Sequence, residues 1–297
     1  MEYKQLGKSS LMVSRIGFGC MSLKSSTPDA DRILKTAVEE GINYFDTADL
    51  YEQGANESMI GKAFRQERKK IIIATKVGNQ WKEDGSGWIW NPSKKYILQS
   101  VEKSLQRLQT DYIDLYQLHG GTIDDPIDET IEAFEQLVQE GKILYYGISS
   151  IRPNVIRRWA ELSRIQSVMM QYSLLDRRPE EKIFDHLHSQ NISVLARGSV
   201  AQGLLVNKPP KAYLDHPLEK VKKAADTLRE LNTQRTPAQT AIQFVLSRPA
   251  IASAVVGMHT LEQLREAVGT MSMPWISEKE MSILERSIEP NHYTEHR

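Results

Sequence analysis

Eight short apolar or β-branched runs recur along the 297 residues, with helical patterns in the intervals between them. The runs cover residues 15–19, 43–46, 71–76, 113–119, 144–149, 167–172, 193–197 and 251–256, about 34 residues apart on average. Between them, DADRILKTAVEEG places Ile33, Leu34, Ala37 and Val38 on one face and stops at Gly41. SKKYILQSVEKSLQRL opens on Ser93 as an N-cap and faces Ile97, Val101, Leu105 and Leu108 inward. PIDETIEAFEQLVQEGK starts with Pro126 and stops at Gly141. Strand–helix alternation calls for parallel strands joined by crossover helices. Eight such units close into a (β/α)8 TIM barrel, so residues 1–297 are expected to form one domain. An open doubly wound sheet is the rival. It usually shows G-x-G-x-x-G after its first strand, whereas IGFGCMS carries only Gly17 and Gly19. Two additions lie outside the eightfold pattern. YKQLGKSSLMVS reads as an N-terminal β-hairpin turning at Gly7-Lys8, and residues 277–288 read as an extra C-terminal helix.

Composition removes several functions. The 38 Lys and Arg balance 38 Asp and Glu, so no basic surplus supports nucleic-acid binding. The single cysteine, Cys20, excludes an intrachain disulfide and a Cys-based metal cluster. His186 and His188 are two apart on a helical pattern and do not face each other, so no metal site is expected. The segment MEYKQLGKSS has no apolar signal core, and no run of about 18 apolar residues suggests a membrane span. A soluble cytoplasmic protein is expected; oligomeric state is left open.

Barrel sites lie at the C-terminal ends of the strands. Three successive runs end there in ionisable residues: Asp46 in FDTADLY, Lys76 in IIIATKVG and His119 in IDLYQLHGG. Tyr51 follows five residues after Asp46. A tyrosine hydroxyl ordinarily titrates near 10, too high for easy proton transfer at neutral pH. A neighbouring ammonium is expected to lower that value by about one to three pH units. A carboxylate holds the lysine in place, and a histidine on the same rim can hydrogen-bond a carbonyl oxygen. Such a group suits carbonyl reduction, in which hydride goes to carbon and a proton to oxygen. Side chains do not deliver hydride, so a nicotinamide cofactor is required. A Schiff-base aldolase with Lys76 as nucleophile is a different use of the same lysine.

The stretches FDTADLY, IIIATKVG, DYIDLYQLH, GKILYYGISS, MQYSLLDR and VVGMHTLEQLRE together resemble the aldo-keto reductase family, and its bacterial members related to potassium-channel β-subunits. They fall in the family's order and cover essentially the whole chain. The resemblance implies Tyr51 as general acid, Lys76 and Asp46 tuning it, and His119 orienting the carbonyl. It implies NADPH-dependent reduction of aldehydes, and of some ketones, as small-molecule substrates. The alternative it carries is a regulatory subunit that reads redox state through bound cofactor, as channel β-subunits do.

The resemblance extends to the cofactor. Cys20 and Met21 end the first strand, facing the cofactor in the family, although packing is the plainer role for Cys20. Ser149 and Gln171 stand where the family holds the nicotinamide carboxamide, with Ser150 replacing the usual asparagine. Arg197 replaces a stacking aromatic residue; its guanidinium either stacks on the ring, reaches the pyrophosphate or pairs with a rim acid. Gly198, Ser199, Val200, Gln202, Gly203 and Leu204 resemble the segment that covers the pyrophosphate. Gly257 ends the last strand and Thr260 caps the helix after it, a phosphate-binding arrangement. Gln263 and Glu266 match adenine-side residues. His259 and Ala267 replace an arginine and an asparagine, which weakens the preference for NADP because a histidine is mostly neutral at pH 7; NADP is still favoured over NAD, with NAD possible.

Two further segments carry expectations. The long loop VGNQWKEDGSGWIWNPS offers Trp81, Trp88 and Trp90 as walls of an apolar substrate pocket. The tail EPNHYTEHR is polar and is expected to be disordered, unless it borders the pocket.

Overall fold

The computed structural model describes residues 1–231 and 234–297. The chain begins with the expected hairpin, β1 (Tyr3–Gln5) and β2 (Met12–Ser14), with Gly7 in the left-handed region at its turn. It continues through β3 (Ile16–Gly19), α1 (Ala30–Glu39), β4 (Tyr44–Asp46), α2 (Ala55–Phe64) and β5 (Ile72–Val77). A second hairpin, β6 (Asn79–Trp81) and β7 (Trp88–Trp90), interrupts before α3 (Lys94–Leu108) and β8 (Ile113–Leu118). Then come α4 (Ile127–Gln139), β9 (Ile143–Ser149), α5 (Pro153–Leu162), β10 (Ser167–Gln171), α6 (Ile183–Ser189) and β11 (Ser193–Arg197). The chain ends with α7 (Leu218–Glu230), α8 (Pro237–Leu246), β12 (Ile251–Gly257), α9 (Leu261–Gly269) and α10 (Glu278–Ser287).

Eight of these strands close a parallel barrel in the order β10-β11-β12-β3-β4-β5-β8-β9. Each expected run falls on one of them, and α10 is the expected extra helix. The strands read as near-continuous apolar runs because both faces are covered. One set of side chains packs outward against the helices; Phe45, Ile73, Tyr116 and Ile148 are among them. The other set fills the barrel: Tyr44, Ile72, Ala74, Leu115, Met169, Leu195 and Ala252.

The N-terminal hairpin belongs to that inner set. Leu6, Leu11 and Val13 pack into the same cluster, so β1 and β2 plug the end opposite the strand C-termini. Side-chain bonds fix the plug: Lys4 Nζ donates to Pro249 O at 2.5 Å, and Gly7 N to Ser193 Oγ at 2.8 Å. Among the described residues no helix is long and apolar enough to cross a membrane.

Candidate active site

Alternation along β5 sends Ile72 and Ala74 into the barrel and brings Lys76 to its rim on the same side. Asp46 lies on the neighbouring β4 and Gln117 on β8, in register with Lys76. Lys76 is 1% exposed, and its Nζ donates to Asp46 Oδ1 at 2.5 Å, to Thr47 O at 2.7 Å and to Tyr51 OH at 3.3 Å. Gln117 Nε2 donates to the other Asp46 oxygen at 3.2 Å. Burial works against the charge on Lys76, but Asp46 and Tyr51 outweigh it and hold the ammonium above its ordinary value. Burial pushes the Asp46 carboxyl upward against the opposing pull of Lys76. With three oxygens around the ammonium and two donors on the carboxylate, the pair stays ionised.

Tyr51 and His119 complete the floor. Their rings meet edge to face with centroids 5.9 Å apart. Burial is the largest influence on Tyr51 and raises its hydroxyl above the ordinary value; Lys76 opposes without prevailing. This corrects the expectation of a lowered value, which weighed the ammonium and not the burial. His119 is pushed down to about 3, by burial first and then by Lys76 and Arg197, so its imidazole is neutral. Among the described residues its buried Nδ1 has no hydrogen-bond partner. A protonated tyrosine and a neutral imidazole around one point make a pair of neutral donors for an oxygen. A Schiff-base role for Lys76 does not fit, because a paired, protonated ammonium has no lone pair to attack with.

Above this floor opens a cavity of about 630 Å³. Met21, Tyr51, Lys76, His119, Ser149 and Arg197 line it, as the sequence suggested. Other expected cofactor residues lie away from it. Cys20 is fully buried, its thiol pushed well up by burial, and it packs rather than faces the cavity. Leu204 and Ala267 are in the core. The Gln171 amide is engaged already: Nε2 donates to Asp176 Oδ2 and Tyr213 OH, both at 2.9 Å, while Oε1 accepts from Arg197 at 3.1 Å.

Strand-end features beyond the cavity fit a phosphate-bearing cofactor. Gly198 holds φ at +76°, leading into Ser199, whose buried hydroxyl has no partner among the described residues. Gln202 is exposed, and Val200 and Gly203 are partly exposed. At the end of β12, Gly257 is exposed and Thr260 Oγ1 accepts from Gln263 N, capping α9. His259 is exposed there, with its backbone N donating to Gln263 Oε1 at 2.9 Å, and Glu266 is one turn into the helix. Exposed backbone beside a helix N-terminus, with an orphaned hydroxyl and the exposed Arg197 next to it, suits phosphate oxygens.

The tryptophan loop departs from expectation, and the tail takes the second of its two expected courses. The three tryptophans do not line the cavity. Trp90 packs over Gly78 and Gly120 and donates its indole N–H to Asp125 at 2.8 Å. Trp88 is exposed on β7. The tail, in contrast, is ordered and walls the cavity through Tyr293, Thr294, Glu295 and His296. Arg177 N donates to Asn291 Oδ1 at 2.8 Å, Asn154 N donates to His296 O at 2.9 Å, and Tyr293 is buried under Arg178. Sequence reasoning also missed Arg152 and Arg178, which line the cavity. Arg152 had a readable signal, standing two residues after Ser150 on the same rim.

The model of the Aldo/keto reductase family matches residues 15–289. YqkF of Bacillus subtilis, named as an uncharacterized oxidoreductase, is 48% identical, with all of both chains covered. The aldo-keto reductase AKR11C1 from Bacillus halodurans in its holo form superposes with a TM-score of 0.95 at 48% identity, covering 100% of this chain and 99% of that one. Its apo form gives 0.87 over the same coverage. The aldo-keto reductase yakc [NADP(+)] of Schizosaccharomyces pombe is 34% identical over 65% of this chain and 60% of its own. The chain belongs to the aldo/keto reductase family. It is an NAD(P)H-dependent oxidoreductase.

Proposed function

We propose that this enzyme, acting as one domain over residues 1–297, reduces aldehydes, and some ketones, with NADPH. The observation that carries the reading is the buried ammonium of Lys76, 2.5 Å from Asp46 and 3.3 Å from the Tyr51 hydroxyl, at the bottom of an open cavity. A bound nicotinamide cofactor supplies the hydride. Tyr51 and neutral His119 bind the substrate oxygen and fix the carbonyl's orientation. Tyr51 gives its proton to that oxygen, and Lys76 stabilises the phenolate left behind. Asp46, with Gln117 behind it, keeps Lys76 charged and aimed.

Ser149 and Arg197 are the lining residues on the cofactor's side, with Met21 covering it. Gln171 holds Arg197 rather than reaching in. Ser199 and the backbone of Gly198, Val200, Gln202 and Gly203 would take phosphate oxygens, and Gly257, His259, Gln263 and Glu266 the adenosine end. The helix N-terminus beside His259 favours the extra phosphate of NADP, and the fission-yeast relative's name carries the same cofactor.

Replacing Tyr51 with Phe tests the reading. Turnover of simple aldehydes should fall by about 100-fold or more, as loss of a general acid does, while a fluorescence titration with NADPH stays unchanged. Turnover close to wild type would remove Tyr51 from the mechanism.

A further inference from the structure

The cavity holds more positive charge than the reaction above uses. Among the described residues, Lys76, Arg152, Arg178 and Arg197 line it, against one acidic residue, Glu295. The chain overall is neutral, so the excess is local. Two of the cations are answered within the protein. Lys76 is paired with Asp46, and Arg178 makes two 2.8 Å bonds to the fully buried Asp176. Arg197 ends β11, on the side given to the cofactor.

Arg152 remains. It follows β9, the barrel neighbour of β8, and its guanidinium reaches across to donate to the carbonyl of Gly121, two residues past His119. Among the described residues its side chain has no carboxylate partner. Glu295 does not supply one, since its side chain is 81% exposed beside His296. A guanidinium carries five N–H donors in a planar fork that matches a carboxylate. Here one end of the fork is braced on backbone and the rest faces a partly enclosed cavity, where a charged hydrogen bond gains over one in open water.

We propose that Arg152 recognises an anionic group on the substrate, and that the preferred substrates are aldehydes bearing a carboxylate away from the carbonyl. Arg152 holds the carboxylate end while Tyr51 and His119 meet the carbonyl end. The assignment rests on the carbonyl-reductase reading above.

Two substrate pairs test it: succinic semialdehyde against butanal, and 4-carboxybenzaldehyde against its methyl ester. The acid should lead in kcat/KM by about tenfold or more in at least one pair. Arg152→Gln should bring that ratio to within about twofold, through KM for the acid, as loss of one charged hydrogen-bond partner does. Arg152→Lys, which keeps the charge without the fork, should retain part of the ratio and also serves if the glutamine variant fails to fold. Equal kcat/KM for acid and neutral partner in the wild type, or a preference that survives Arg152→Gln, overturns the proposal. If no aldehyde of either kind is reduced, the carbonyl-reductase reading fails. Calorimetry of 4-(hydroxymethyl)benzoate with NADP-loaded protein then decides the anion site by itself. Binding that Arg152→Gln abolishes upholds it, and absence of binding in the wild type overturns it.

Discussion

Tyr51 keeps its proton although a full ammonium stands 3.3 Å away, because burial disfavours the phenolate more than Lys76 favours it. The consequence for activity is specific. His119, held down to about 3, does not titrate near neutrality, and Tyr51 loses its proton only above the ordinary tyrosine value. The kcat of aldehyde reduction should therefore be flat from about pH 6 to 9, falling only on the alkaline side. A limb centred near 6.5 in the kcat profile would show that His119 changes charge. Asp49, in the same FDTADLY segment, is pushed up to about 8 by burial and by Glu57. Its proton is kept in the folded state and lost in the unfolded state above about pH 4, so its contribution to stability fades as pH rises toward 8. Asp49→Asn should gain stability relative to wild type between pH 5 and 8, by at most about 1.4 kcal/mol per pH unit. Urea midpoints at the two pH values measure it, and a constant difference refutes it. The residue types at the rim were legible because each ends an apolar run in a polar side chain. The sign of the Tyr51 shift was not, because burial at the bottom of a cavity is not written in spacing.

Among the elements, α2 and α3 show where local preference yields to packing. Gly61 lies inside α2, where alanine would ordinarily gain about 1 kcal/mol. Here a Cβ would meet the carbonyl oxygens of Arg107 and Leu108 at 2.5 and 2.6 Å, at the end of α3. Gly61→Ala should lower stability by about 1–3 kcal/mol, the usual cost of overpacking. A raised Tm would mean that α3 yields without cost. Helices and barrel strands were readable from periodicity and caps: Ser93 accepts from Tyr96 N as its position implied. The tryptophan loop was misread for a physical reason. Its strands pair only with each other, so its orientation depends on contacts far along the chain, such as Trp90 with Asp125. Of the two courses open to the tail, the one bordering the pocket is taken. Its composition is that of a disordered segment, and its order comes from Arg177, Arg178 and Asn154, more than a hundred residues earlier.

At the scale of the molecule, an electrically neutral protein concentrates cations at one mouth. Fields of that kind are screened by salt over about 8 Å at physiological ionic strength. Raising salt from 0.05 to about 0.5 M should raise KM for an anionic aldehyde and leave that for its neutral partner nearly constant. Parallel responses would place the charge effect outside the cavity. Deleting residues 290–297 removes the wall formed by Tyr293, Thr294, Glu295 and His296. It should raise KM for aldehydes severalfold while NADPH titrates as before; an unchanged KM would show that the tail does not border bound substrate.

The N-terminal hairpin has a consequence for the rim above it. Leu6, Leu11 and Val13 stopper the barrel from below, and a Cβ on Gly7 would come within 2.3 Å of the Gln166 carbonyl oxygen, leaving no slack in the seal. What lies above the stopper is not a passage but the packed side chains of Tyr44, Leu115, Met169 and Leu195. The hairpin is therefore masonry and not a valve: it finishes the foundation on which the rim stands.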